Sequence, residues 1–221
     1  MQEPFDTPSE LVVILGAGPG LGRAVAAAFS ERGDQVVLLA RDAARLEALA
    51  GEVDAAARIA VDATDERSLR SAFSDIRSRY GDPTTLVHNP SVAYEAPPTR
   101  TPLHALMDGF ALAAGSLLVA AQEVAPAMRA AGRGAILVTG SGSATTGSTW
   151  SASLAAQKAA VRNLALSLAA ELGPDGIRVA TITIDGMLGS PGFERERIAG
   201  EYVRLVTQRD ENWNPEVTWT T

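Results

Sequence analysis

Leu11-Val12-Val13-Ile14-Leu15-Gly16-Ala17-Gly18-Pro19-Gly20-Leu21-Gly22 places five apolar residues directly before four glycines in seven positions. The apolar run is short and unbroken, the pattern of a strand buried on both faces of a parallel sheet. The glycines let the backbone turn sharply and approach a pyrophosphate, whose charge then meets the N-terminus of the following helix. The spacing G-x-x-x-G-x-G runs through Gly16, Gly20 and Gly22, with Gly18 and Pro19 inside the turn. The alternative G-x-G-x-x-G would need glycine where Leu21 stands. Read blandly, the same stretch is only a tight strand-to-helix turn. A lysine-bearing phosphate loop is excluded, because no lysine lies nearby.

Outward from this turn the chain alternates regularly. Helix is expected from Leu21 to Arg32, ended by Gly33, then strand from Gln35 to Ala40 and helix from Ala43 to Ala50. Strand follows from Arg58 to Val61, and helix from Asp65 to Tyr80, capped by Thr64 or Asp65. Further strands are expected at Thr85 to Asn89, Gly134 to Thr139 and Arg178 to Ile184. A long helix from Leu103 to Ala131, bent near Pro126, and another from Ser151 to Leu172 separate them. Glu216 to Thr220 is a candidate edge strand. Strand–helix alternation implies right-handed βαβ units. The expected fold is therefore α/β, a Rossmann-like doubly wound parallel sheet of six to seven strands in a three-layer α/β/α sandwich. The 221 residues are read as one domain, with 1–8 a flexible N-terminus and 186–210 a lid.

Composition narrows the class. Hydrophobic residues make up 46% and the formal net charge is −7, which argues against nucleic acid, since phosphate neutralisation needs clustered cations. No membrane span is expected, because no run of about 18 apolar residues is visible. Without a recognisable leader, the expected location is cytoplasmic. Cysteine is absent, which excludes disulfides and thiolate metal sites, and two distant histidines (His88 and His104) make a metal centre an unattractive reading. Of 19 basic residues, 18 are arginine; the exception is Lys158, in Leu154-Ala155-Ala156-Gln157-Lys158. An ammonium can hydrogen-bond ribose hydroxyls in a tight site where a flat guanidinium would not fit.

In open parallel sheets, ligands sit beyond the carboxyl ends of the strands. At the end of the second strand stand Ala40, Arg41 and Asp42. An acidic tip would bind the 2′-hydroxyl of NAD, whereas arginine pairs with a 2′-phosphate. Arg41 after Ala40 favours NADP(H) over NAD(H), while Asp42 takes the acidic part if the strand runs longer. Asp62, closing the third strand, is either an adenine-edge ligand or a turn former.

These residues together resemble the short-chain dehydrogenase/reductase family over nearly the whole length. The resemblance runs through the glycine loop, Asp62, Asn89, Ser141, Lys158 and Ile184-Asp185-Gly186. In that family the fourth strand ends in Asn-Asn-Ala-Gly; this chain has His88-Asn89-Pro90-Ser91. Gly134 to Ser141 resembles the strand that carries the catalytic serine, and the helix from Ser151 resembles the one carrying Tyr-x-x-x-Lys. Asp185-Gly186 stands where Pro-Gly usually follows the sixth strand. The resemblance implies catalytic roles for Ser141 and Lys158. It implies nicotinamide-cofactor contacts at Gly16, Gly18, Pro19, Gly20, Leu21, Gly22, Arg41, Asp62, Asn89, Lys158, Asp185 and Gly186. Ser91, Tyr94, Trp150 and Leu154 would line the substrate pocket. It further implies a homodimer or homotetramer through the two alanine-rich helices, Leu103–Ala131 and Ser151–Leu172.

The departures bear on the chemistry. Family members use a tyrosine hydroxyl as general acid, and the position four before Lys158 is Leu154. No tyrosine lies between positions 95 and 201. Leu112 replaces the family's helical asparagine. Losing a positioned general acid costs ~10²–10⁴ in rate. Three readings stay open. One is an NADP(H)-dependent oxidoreductase acting on a small or apolar carbonyl, alcohol or conjugated compound, its proton coming from water, Tyr94 or Tyr202. Another is a catalytically silent NADP(H)-binding protein with a sensor or structural role. The third is a non-redox lyase or isomerase using Asp185 or His88 as base.

Overall fold

The computed structural model describes residues 10–208 and 213–220. Seven parallel strands form one sheet: β1 (Leu11–Leu15), β2 (Gln35–Ala40), β3 (Ala57–Ala60), β4 (Thr85–His88), β5 (Gly134–Ser141), β6 (Ile177–Ile184) and β7 (Glu216–Trp219). Their order is β3-β2-β1-β4-β5-β6-β7, so the direction of winding reverses between β1 and β4. Seven α-helices complete the fold: α1 (Leu21–Glu31), α2 (Ala43–Glu52), α3 (Glu66–Tyr80), α4 (Leu103–Phe110), α5 (Ser116–Ala131), α6 (Ala152–Leu172) and α7 (Arg195–Thr207). The doubly wound α/β architecture expected from the alternation is the one observed. The N-terminal segment 1–8 and residues 209–210 of the expected lid lie outside the described residues.

The sheet separates two cores because strand side chains alternate in direction. Val13, Leu15, Val37, Leu39, Leu86, Ile136, Val138 and Val179 face α3, α5 and α6. Val12, Ile14, Val36, Leu38, Val87, Leu137, Ala180 and Ile182 face α1, α2 and α7. Both sets are buried, which is why these strands read as continuous apolar runs rather than alternating ones.

Local chemistry sets most element ends. Gly33 follows α1 at φ +89° and closes it with a bond from its N–H to the Ser30 carbonyl at 2.9 Å. Asp42 caps α2 by accepting from the Arg45 N–H, and Asp65 caps α3 by accepting from Arg67 and Ser68. Thr64 is not the cap; its N–H and hydroxyl both donate to Asp62. Strand β5 runs two residues further than expected, because Gly140 and Ser141 pair with Thr183 and Ile184 of β6.

The long helix expected from Leu103 to Ala131 forms, but its irregularity falls elsewhere. Ala111–Gly115 is a π-helical turn between α4 and α5, while α geometry carries on through Pro126 on the solvent side. This helix is also long and apolar enough, by length and composition, to cross a membrane, which corrects the expectation that no stretch qualifies. Part of that apolarity serves the core: Leu117, Ala120, Ala121, Val124 and Met128 lie buried against the sheet.

Candidate functional site

The reversal of winding leaves a crevice at the carboxyl ends of β1 and β4, and a cleft of about 620 Å³ opens there. Its wall brings together Gly16, Gly18, Pro19, Arg41, Asp62, Asn89 and Ser91, joined by Arg23, Ala40, Arg45 and Leu112. Gly16 sits at φ +84°, and a Cβ there would come within 2.7 Å of the Pro90 nitrogen. Gly22 is equally constrained: a Cβ would stand 3.0 Å from the Gly16 carbonyl oxygen, so this glycine lets α1 pack down on the turn. A Cβ on Gly18 would meet nothing within 4 Å. Two glycines therefore shape the turn, and a third leaves room beside it. Leu21 is buried, and Gly20, Leu21 and Gly22 lie outside the cleft wall.

The tip of β2 is Ala40, as the sequence implies, and Asp42 is engaged as the α2 cap and in an ion pair with Arg45 at 3.2 Å. The strand tip itself thus carries no carboxylate, while Asp42 also lines the cleft. Arg41 is exposed and makes no hydrogen bond or ion pair among the described residues. Asp62 binds the Thr64 backbone and hydroxyl at 2.9 and 2.8 Å, which holds its carboxyl below the usual range. It forms a turn while also lining the cleft.

Behind the cleft runs a continuous polar chain. Asn89 donates from Nδ2 to the Gly16 carbonyl at 2.9 Å, and its Oδ1 accepts from the Thr139 hydroxyl at 2.9 Å. The Thr139 hydroxyl meets the Tyr202 phenol at 2.7 Å, and the Thr139 carbonyl accepts from Lys158 Nζ at 2.7 Å. Thr139, two residues before the end of β5, thus ties the glycine turn, α6 and α7 together. Lys158 is 5% exposed, and burial pulls its pKa down to about 8. Its amine points into this network and away from bulk solvent.

Two expected proton carriers are removed by burial. Tyr202 is fully buried, with its phenol pushed up by desolvation, so it cannot meet a substrate. His88 is also buried, its pKa pushed down to about 3 by desolvation and then by the charge of Lys158. The Ser116 hydroxyl donates to the Leu112 carbonyl and lies 2.8 Å from His88 Nε2, so this buried imidazole is tied into the core and does not line the cleft.

Several expected site residues lie outside the cleft wall: Ser141, Leu154, Lys158, Tyr94, Trp150, Asp185 and Gly186. Ser141 caps the short turn that follows β5, its oxygen accepting from Ser143 N–H at 3.3 Å and meeting the Ser143 hydroxyl at 3.0 Å. Leu154 is half-buried in the first turn of α6. Tyr94 meets His104 edge-on at 6.5 Å, and Trp150 is more than half exposed. Asp185 packs against Gly142, where a Cβ would stand 2.0 Å from its Oδ1. The Phe193 ring rests on Gly186, 2.1 Å from where a Cβ would be.

The sequence and the fold have counterparts among known proteins. A family model described as short chain dehydrogenase matches residues 10–196. D-threitol dehydrogenase of Mycolicibacterium smegmatis is 30% identical over 183 residues, covering 81% of this chain and 70% of that protein. The chain belongs to the short-chain dehydrogenase family. Galactitol 2-dehydrogenase (L-tagatose-forming) of Cereibacter sphaeroides is similar at 32% identity over 211 residues, 94% of this chain and 78% of that one. A metagenomic short-chain oxidoreductase solved in complex with NADP superposes with a TM-score of 0.87 at 26% identity, over 96% of this chain and 98% of that one.

In short-chain dehydrogenase terms, the sequence reading missed residues that act through others. Gln157 holds the loop after β4 at both backbone groups of Val92, donating at 2.6 Å and accepting at 3.2 Å. It sits beside Lys158, in the stretch singled out for the lysine, but a partner 65 residues away leaves no local signal. Thr139 was passed over because a threonine inside an apolar strand reads as ordinary β structure. Arg23 and Arg45 are surface helix residues by pattern, and only the fold turns them to the cleft.

The expected lid resolves into two parts. Residues 185–194 are a braced loop, with Gly189 donating to the Phe193 carbonyl and Phe193 to that of Ser190, each at 2.9 Å. The rest is α7, whose Ile198, Ala199, Tyr202 and Leu205 are buried in the core.

Proposed function

We propose that the protein is an NADP(H)-binding oxidoreductase that works without a phenolic general acid. The observation that carries the cofactor half is the set of guanidiniums beside the cleft: Arg23, Arg41 and Arg45 line it next to Ala40, where a carboxylate would favour NAD. Gly16 and Gly22 shape the turn and Gly18 leaves it open, which fits a backbone that must approach a pyrophosphate. Asn89 and Asp62 would border the adenosine side, and Lys158, Asp185 and Gly186 the nicotinamide side. When bound, NADPH supplies hydride, and the chain's own contribution is to position reactants and hold protons. Lys158 would set the ribose end, braced by the Thr139 carbonyl, and Ser141 would hold the substrate oxygen. Leu154 has no proton to give, so the proton would come from water, or the substrate would be one that needs no strong acid, such as a conjugated alkene.

The substrate reading follows from the rim. Val92 and Tyr94 after β4, Trp150 before α6, and Met187 and Leu188 after β6 are large apolar side chains left between 38 and 78% exposed. They lie on loops from neighbouring strands, and Ser91 adds one hydroxyl. Such a rim suits a small apolar carbonyl, alcohol or enone better than the polyols named for the two curated relatives.

A second reading, a silent NADP(H)-binding protein, is favoured by one observation: the cleft stops at Ser91 and Leu112, short of Ser141, Leu154 and Lys158. Thermal unfolding with NADPH and with NADH tests the shared premise. NADPH at about 100 times its dissociation constant should stabilise the fold by about 2.7 kcal/mol, and absence of a shift with either nucleotide would remove both readings. Leu154→Tyr then separates them. Carbonyl reduction rising by about 10²-fold or more supports an intact site that lacks only its acid, whereas no gain with NADPH bound supports the silent reading.

A further inference from the structure

The connection from β6 to α7 delivers a cation to the glycine turn. Residues 185–194 are braced by their own backbone bonds, by the Phe193 ring on Gly186, and by the Trp219 indole, which donates to the Gly192 carbonyl at 2.9 Å. This bracing sets the direction in which α7 begins, and its first residue is Arg195. Arg195 Nε stands 3.8 Å from where a Cβ on Gly20 would be, and its Nη2 stands 3.3 Å from the equivalent point on Gly189. The guanidinium therefore lies between the glycine turn and the Gly189 turn, each of which presents a residue without a side chain to it.

Among the described residues Arg195 makes no hydrogen bond or ion pair, although carboxylates flank it in sequence. Both are engaged elsewhere. Glu196 pairs with Arg23 at 3.0 Å. Glu194 accepts from the Gly192 N–H at 3.0 Å and pairs with Arg197 at 3.1 Å. Arg195, like Arg41, forms no ion pair among the described residues, and the acids on either side of it are already paired. Its neighbour across the gap is Gly20, the residue immediately before α1, where helix-end amides favour an anion.

We propose that Arg195 is a ligand for the cofactor's pyrophosphate, closing over the glycine turn from the α7 side. This rests on the nucleotide reading above and adds a contact that the turn's backbone cannot supply: a planar fork of donors that can bind phosphate oxygens in pairs. The same contact would link cofactor binding to the 185–194 loop, because the guanidinium lies beside Gly189 as well as Gly20.

The test compares wild type, Arg195→Gln and Arg195→Lys by calorimetric titration with NADPH, with ADP and with adenosine 2′-monophosphate, which has no pyrophosphate. Arg195 is exposed, so unchanged thermal unfolding of the apo variants is expected and serves as the folding control. Arg195→Gln should weaken NADPH and ADP by about tenfold or more and leave adenosine 2′-monophosphate unchanged. Arg195→Lys should fall between the two, keeping charge without the fork. NADPH and ADP binding by Arg195→Gln at wild-type strength would overturn the proposal and leave the nucleotide reading standing. Equal weakening of all three ligands would also overturn it, as general loosening of the cleft. A wild type that binds none of them would overturn both.

Discussion

Lys158 is the residue on which chemistry and stability meet. Its amine is buried with one bond, to the Thr139 carbonyl, and its pKa is drawn down to about 8 by desolvation. An unfolded chain returns it to the ordinary range near ~10.4. Between those values the unfolded state binds the extra proton, so stability rises with pH across that window. Below pH 8 the buried ammonium carries its full penalty, and above the unfolded value the penalty is gone. Urea unfolding at a series of pH values, wild type against Lys158→Met, should give a difference that grows by about 3 kcal/mol in favour of wild type from the lower pKa to the upper. A flat difference would mean the amine is solvated. The lone lysine was legible as special from composition, whereas its depth was not, because burial comes from Thr139 and His88 on other strands.

At the scale of elements, the glycine turn separates fold from function. Gly16 has no room for a methyl group and adopts a backbone conformation that L side chains rarely take. Gly18 faces open space. Gly16→Ala should therefore lower the thermal midpoint by several degrees, equivalent to about 1–3 kcal/mol. Gly18→Ala should leave it nearly unchanged while weakening NADPH binding. If the two variants lost stability alike, the turn would have only a structural task. The motif announced both glycines equally; their different duties depend on Pro90 and Asn89, which the fold brings from β4. Likewise, the long helix was legible from its alanine-rich pattern, but its π turn at Ala111–Gly115 was not. That turn lies where Ser116 bonds back to Leu112 and meets His88, a tertiary contact across 28 residues.

For the whole molecule, the open question of scale is association. Leu103, Met107 and Leu118 are 71, 54 and 44% exposed along the α4–α5 helix, while its other face is buried on the sheet. Alanines around them let another helix approach closely. We expect a homodimer or homotetramer through this helix and α6. Light scattering at micromolar concentration should report a multiple of 23.0 kDa, and Met107→Glu should shift it towards monomer. A wild-type monomer would remove the expectation. The parallel, doubly wound sheet and its layer count were readable in advance, because strand–helix alternation with right-handed crossovers admits few topologies; the strand order was not.

By itself the sequence determined the alternation of elements, the glycine turn, the tip of β2 without a carboxylate, and the lysine with leucine four residues before it. These are local patterns, written in neighbouring positions and in backbone preference. Tertiary structure alone decided that Tyr202 and His88 are sealed in the core, that Thr139 joins three elements, and that Arg195 stands over Gly20. Those outcomes depend on which distant segments the sheet order makes neighbours and on how far water is excluded between them, and a linear pattern encodes neither directly.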